Sequence, residues 1–76
     1  MLIHVRRRHI ESGERGVPGS CPVALAYEAA CGERPHVFSL LLCTRGRQFR
    51  LPRAAQQFVS DFDAGKPVKP FAFVLK

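Results

Sequence analysis

The chain has 76 residues, of which 46% are apolar, and a formal net charge of +6 from twelve basic and six acidic side chains. This length gives one domain, residues 1–76, and leaves no room for a second. The apolar fraction excludes a disordered chain, and so small a core has a thin stability margin.

Neither a targeting segment nor a membrane segment is expected. Arg6 follows directly after the apolar residues 1–5, and the longest apolar run, residues 37–43, is far shorter than the ~20 residues that span a bilayer. The cysteines are odd in number and widely spaced, unlike a secreted disulfide framework: Cys21, Cys31 and Cys43. We therefore expect a cytoplasmic protein with reduced thiols and no membrane association.

The first half of the chain predicts a strand, a loop and a helix. Residues 2–6 alternate as a strand, with Ile3 and Val5 on one face. Residues 7–20 are polar and rich in glycine, which predicts a long loop with room for one helical turn at 8–12. The next segment, 22–31, predicts a helix that ends at Gly32 and has one apolar face: Val23, Ala26, Tyr27 and Ala30.

The second half predicts two strands, a helix and a last strand. Residues 36–43 are nearly all apolar, as in a central strand covered on both faces, and a tight connection leads to a half-exposed strand at 47–51. Pro52 opens the second helix and Gly65 ends it, with an apolar stripe of Ala55, Phe58, Val59 and Phe62. Residues 71–76 alternate as a strand, with Phe71, Phe73 and Leu75 on one face.

The resulting order of elements is β-α-β-β-α-β, which predicts an α+β domain. That order is typical of the ferredoxin-like split βαβ arrangement, in which two helices cover one face of an antiparallel sheet. A ferredoxin-like topology is therefore our prediction for the fold.

The segment RGVPGSCPVALA, residues 15–26, has three interpretations. Gly16, Gly19 and the first amides of the helix could hold an anion with help from Arg15, or Cys21 could be an activated nucleophile. Alternatively, Ser20 or Cys21 caps the helix and Pro22 starts it. No lysine follows the glycines as in a Walker loop, and no C-x-x-C is present. The sequence favours the start of a helix and leaves the other two open.

Metal and catalytic sites have little support. The histidines, His4, His9 and His36, and the cysteines lack the close ligand pairs that zinc sites use. Asp61 and Asp63 are the only close carboxylates, and no nucleophile accompanies them. We expect no enzyme, no catalytic residue, no metal and no cofactor.

Arginine accounts for nine of the twelve basic residues. Two groups stand out, the first at the end of the first strand (Arg6, Arg7 and Arg8) and the second around the hairpin and the start of the second helix (Arg45, Arg47, Arg50 and Arg53). Arginine binds carboxylates and phosphates bidentately, which indicates an acidic partner, although a solvated basic face would have the same composition. The phenylalanines occupy core-patterned positions and are not expected to stack on bases.

Asp61 and Asp63 fall at the end of the second helix, where the macrodipole disfavours negative charge. Such an arrangement indicates either a surface with another use or an ion pair. We expect pairing with Lys66, Lys69 or the run Arg6–Arg8, and we place both aspartates at the rim of the basic surface.

Three segments, HIESGERG, CPVALA and LPRAAQQFVSDFDAGKPVKPFAF, resemble a family of short proteins of unassigned activity from phages, prophages and bacteria. The matching positions begin with His9, Ile10, Gly13 and Gly16, continue with Cys21–Ala26, and end with Leu51, Pro52, Phe58, Phe62, Asp63, Gly65, Pro67, Val68, Pro70, Phe71 and Phe73. The resemblance implies a small accessory protein of a mobile element and transfers no catalytic residue. Some proteins of this size and origin are anti-CRISPR inhibitors, which dock on host effector complexes.

Together these features predict a non-enzymatic binding protein of phage type in the host cytoplasm, such as an anti-CRISPR inhibitor. Its arginine groups, with Asp61 and Asp63, would contact an acidic protein surface or a nucleoprotein complex. The alternative is a nucleic-acid-binding protein that contacts phosphates with the same arginines. An unpaired sheet edge on either terminal strand would also permit a homodimer.

Overall fold

The computed structural model describes all residues, 1–76, and contains three helices and five strands. In chain order the elements are β1 (Leu2–Val5), α1 (Arg7–Ser12), α2 (Pro22–Cys31), β2 (His36–Val37), β3 (Leu41–Thr44), β4 (Arg47–Arg50), α3 (Arg53–Asp63) and β5 (Phe71–Val74). The predicted α+β class is confirmed. The helical turn expected within the first loop is α1.

The strands form two antiparallel sheets, one of β1 and β5 and one of β2, β3 and β4. The prediction of one ferredoxin-like sheet is therefore wrong, because the pairing that would join β1 to β4 is missing. The two outer pairings of that arrangement remain, between the terminal strands and within the hairpin. A groove at the end of β4 is lined by residues of β5 and by none of β1.

The apolar run 36–43 is not one central strand, contrary to our prediction. The Phe38 N–H donates to the Leu41 carbonyl oxygen at 2.8 Å and closes a turn between β2 and β3. Val37 and Leu42 then pair across the two strands and are both buried. The turn places Phe38 and Leu40 outside the core, where each residue is about half exposed. The apolar run therefore contributes Val37 and Leu42 to the core and leaves an apolar turn exposed between them.

Apolar faces of the helices and both sheets form one core of 17 residues. The predicted stripe of α3 is buried in full, and that of α2 is buried except at Ala30, near the end of the helix. Phe71 joins α3 to β5, with its ring centroid 4.7 Å from that of Phe58 and 5.5 Å from that of Phe73. None of the three helices is both long and apolar enough to cross a bilayer.

Candidate functional site

The segment 15–26 starts helix α2, as the sequence favoured. Pro22 is the first helical residue, and Cys21 occupies the N-cap position without a side-chain hydrogen bond. The helix therefore begins without the side-chain cap that we expected from Ser20 or Cys21. Proline suits this position because its φ is already close to the helical value and because it has no N–H that would need a partner.

The Cys21 thiol is buried and does not resemble an activated nucleophile. Burial raises its pKa, the backbone N–H groups of Ala24 and Val23 oppose that rise, and the Asp63 carboxylate adds to it. Reactive cysteines have the opposite shift and are partly exposed. The position of Cys21 is that of a small hydrophobic residue in the core.

The glycine-rich loop holds an anion that belongs to the chain itself. The Gly16 N–H donates to Asp63 Oδ1 at 3.0 Å, which links the loop to the end of α3. The Arg15 guanidinium lies beside Gly65, just past the same helix end, where a positive charge is favourable. The amide that could have held an external carboxylate is therefore already used within the fold.

The expected ion pairs of Asp61 and Asp63 are not formed, so that prediction is wrong. Asp61 Oδ1 accepts a hydrogen bond from Gln57 Nε2 at 2.9 Å, and Asp63 accepts from the loop. The chain's one salt bridge joins Arg34 to Glu28 at 2.9 Å. Both aspartates thus accept from neutral donors, because Asp61 lies one turn after Gln57 and Asp63 lies beside the Gly16 N–H of the loop.

The seven arginines of the predicted surface are all exposed but do not form one patch. Arg6 precedes α1, and Arg7 and Arg8 are its first residues, so this group begins a helix instead of ending a strand. Arg6 and Arg7 line a shallow hollow at the end of β1, together with Ala72 of β5.

Arg45 and Arg47 lie elsewhere, near polar and aromatic neighbours of their own. The Arg45 N–H donates to Glu33 Oε1 at 3.1 Å, and Arg45 borders a mixed-charge hollow that contains Glu33 and Arg34. The Arg47 guanidinium lies 5.0 Å from the centroid of the Phe49 ring, within cation–π range. These contacts separate the hairpin arginines from the rest of the predicted surface.

Arg50 and Arg53 line a groove of about 860 Å³ together with Lys76. One wall consists of residues 50–54 with Gln56, and the other consists of residues 72–74 of β5. Every other residue that lines the groove is uncharged, and all three cations are exposed. Ala72 also borders the hollow of Arg6 and Arg7, so the two basic surfaces adjoin along β5.

His9 is the buried polar residue of the core and has a structural role. Its Nδ1 accepts a hydrogen bond from the Arg6 N–H at 2.9 Å, at the start of α1. Burial lowers its pKa, and the charges of Arg8 and then Arg6 lower it further. The neutral ring is therefore the form that the fold uses.

No group of three histidine, cysteine or carboxylate side chains is close enough to hold a metal ion. Cys31 contacts Met1, with 3.3 Å between the two sulfur atoms, and Cys43 and His36 border the mixed-charge hollow. These side chains are distributed over different parts of the surface.

Sequence reasoning missed two parts of the surface, Lys76 and Phe38. Lys76 was not assigned to the basic set, although the alternation that buries Phe73 and Leu75 places residues 72, 74 and 76 outward together. The exposed Phe38 was assigned to the core, and only the turn within its apolar run reveals otherwise. The unpaired edge expected on a terminal strand is present on β5, but the sequence did not predict that it lies beside basic residues, because strand neighbours are a tertiary property.

Comparison with known proteins found no relative of this chain. Protein-family models, curated protein sequences and solved structures were searched, and none of the three searches found a match to this chain.

Proposed function

We propose that this chain is a non-enzymatic binding protein that docks on an acidic surface through the groove of Arg50, Arg53 and Lys76. The observation that carries the proposal is that these exposed cations have no acidic partner in the chain. Unpaired cations beside an open groove are available to carboxylates of a partner, and complementary charge speeds encounter and selects the partner.

The hollow of Arg6 and Arg7 extends the same binding surface, because Ala72 borders both. Arg45, Arg47, Asp61 and Asp63 are left outside it. Contacts within the chain engage the backbone of Arg45, the guanidinium of Arg47 and both carboxylates.

A host effector complex is the partner class to test first. Its support is the resemblance of the sequence to short phage and prophage proteins, some of which would be anti-CRISPR inhibitors. Such an inhibitor acts by steric docking and needs no catalytic residue. The rival function, phosphate binding to nucleic acid, uses the same cations and differs in its dependence on salt.

Capture from a nuclease-treated bacterial lysate tests the proposal. We compare the wild-type protein with R50Q/R53Q/K76Q and with a control of similar chemistry outside the groove, R45Q/R47Q. Recovery of one protein assembly by the wild type and the control, but not by the groove variant, is the expected result. Capture that survives the groove substitutions, or that disappears with nuclease treatment, would contradict it.

A salt titration with a short labelled DNA duplex tests the rival directly. If the three cations contact three phosphates, the logarithm of the affinity should fall with the logarithm of the salt concentration with a slope of about −2.7, at about −0.9 for each phosphate. The proposed function instead expects weak binding to free DNA at physiological salt and no difference between the groove variant and its control.

A further inference from the structure

The outer edge of β5 carries backbone groups that point away from its partner strand. The Leu75 N–H donates to the Met1 carbonyl oxygen at 2.8 Å, and the Met1 nitrogen donates to the Leu75 carbonyl oxygen at 2.9 Å. Pairs along an antiparallel ladder alternate between those that exchange both hydrogen bonds and those that exchange none. In this register Phe73 is bonded to β1, whereas the N–H and C=O groups of Ala72 and Val74 point outward.

The residues that carry these outward groups line the basic groove. The sheet of β1 and β5 has two strands, so no other strand of the chain pairs with this edge of β5. Ala72 and Val74 line the groove opposite residues 50–54, beside Arg50, Arg53 and Lys76. The groove thus combines an unpaired strand edge with three cations, and a strand edge left open is a template for pairing with another chain.

We propose that the groove binds an extended acidic peptide segment of the partner, which adds to β5 as a third strand of its sheet. This inference rests on the proposed function and specifies how the partner is held. Ala72 and Val74 supply two N–H donors and two C=O acceptors, and an extended peptide presents the matching groups in alternation. β5 has four residues, a length of about 13 Å at about 3.3 Å per residue, so a peptide of about five residues covers the edge.

The charges of the groove favour an acidic peptide over the other possible occupants. A second copy of the chain would bring Arg50, Arg53 and Lys76 against the same three cations, and like charges at close range oppose association. Nucleic-acid phosphates accept hydrogen bonds but do not donate them, so they would leave the outward carbonyl oxygens of Ala72 and Val74 without donors. A peptide with glutamates satisfies both the backbone groups and the cations.

Binding of a fluorescein-labelled peptide of alternating glutamate and valine to the wild-type protein provides the first test. We expect saturable binding and slower hydrogen exchange at the amides of Ala72 and Val74, measured by NMR. A second peptide, N-methylated at one central glutamate and one central valine, has the same charge but both of its edges are blocked. It should bind about tenfold more weakly, because each lost hydrogen bond leaves a partner unsatisfied.

Protein variants provide the second test. Ala72→Pro removes an outward N–H without removing a hydrogen bond to β1, and proline is tolerated at such edge positions. Leu2→Pro is the matched control, since Leu2 pairs with Val74 in the same register and its N–H points to the opposite edge of the sheet. We expect Ala72→Pro to weaken peptide binding about tenfold, Leu2→Pro to leave it unchanged, and R50Q/R53Q/K76Q to weaken it about tenfold.

Several results would overturn the inference. Equal affinity for the two peptides would show that charge alone holds the peptide, without strand pairing. Absence of peptide binding would exclude the site. Protection of the Ala72 and Val74 amides in the free protein, together with a dimer in sedimentation, would identify a second copy as the occupant. Tighter binding of a DNA duplex without protection of these amides would identify nucleic acid.

Lysate capture separates the failure of this inference from the failure of the proposed function. If only β-strand addition is wrong, R50Q/R53Q/K76Q loses the partner while Ala72→Pro retains it. If the proposed function is wrong, neither substitution changes what is captured.

Discussion

Replacement of Phe58 by alanine should remove much of the stability of this domain. Phe58 is 7% exposed, and its ring stacks 4.7 Å from that of Phe71 and 6.3 Å from that of Phe62, measured between centroids. Burial of such a side chain contributes about 1.5–3 kcal/mol, and its aromatic pairs add about 0.5–1.5 kcal/mol each. The sum agrees with the cost of about 3–5 kcal/mol for a buried Phe→Ala change.

A domain of this length has a free energy of unfolding of about 4–11 kcal/mol, so Phe58→Ala should lower the urea midpoint by a large fraction. Urea denaturation followed by circular dichroism measures the effect. Phe58→Leu, with an expected loss of about 1 kcal/mol, keeps the test quantitative if the alanine variant does not fold.

Phe38→Ala is the matched control, because Phe38 lies on the turn between β2 and β3 and is 49% exposed. Its expected cost is within about 0.5 kcal/mol. A loss as large as that of Phe58→Ala would refute the division of the apolar run into two strands and return Phe38 to the core. A loss below about 1 kcal/mol for Phe58→Ala would refute the aromatic link between α3 and β5.

Three further predictions concern single side chains. Because burial raises the pKa of Cys21, iodoacetamide should label the exposed Cys31 first and Cys21 only on unfolding; early labelling of Cys21 in mass spectra would argue against its burial. Burial and neighbouring arginines lower the pKa of His9, so the unfolded chain binds more protons than the folded one as pH falls below about 6.5. The free energy of unfolding, measured in urea from about pH 7 to about pH 5, should therefore decrease with falling pH and decrease less in His9→Gln; an unchanged slope would be evidence against this role. Asp63→Asn keeps an acceptor for the Gly16 N–H and removes an unfavourable charge from the end of α3, so its free energy of unfolding should be within about 0.5 kcal/mol of the wild-type value. Asp63→Ala removes the acceptor and should lower the free energy of unfolding by about 1 kcal/mol. Equal effects of the two substitutions would exclude the hydrogen bond as a stabilising contact.

Local patterns in the sequence predicted most elements and most inward-facing residues. The period of α3 predicted its buried stripe, and the alternation in β1, β4 and β5 predicted Ile3, Phe49 and Phe73 as core residues. These predictions rest on the geometry of one element, in which a side chain's direction follows from its place in the repeat. The same alternation placed Ala72 and Val74 on the outward face, although not beside a groove.

Besides the single ferredoxin-like sheet, two further predictions were wrong where a local pattern was extended to tertiary arrangement. A continuous apolar run predicts burial, but it does not distinguish one central strand from two short strands that meet at an apolar turn such as Phe38–Leu40. Opposite charges in the sequence suggested ion pairs for Asp61 and Asp63, although their actual donors are Gln57, one turn away, and the Gly16 N–H, 47 positions away. Long-range partners of this kind depend on which loop the fold brings to the end of a helix.

The sequence by itself determined the α+β class, the positive charge and the residues that each helix and strand turns inward, because these depend on composition and on short repeats. Only the tertiary structure decided that the strands divide into two sheets and that Arg50, Arg53 and Lys76 meet at the free edge of β5. The physical reason is that strand pairing and surface neighbours depend on contacts between segments far apart in the chain, and no local period specifies which segments will meet.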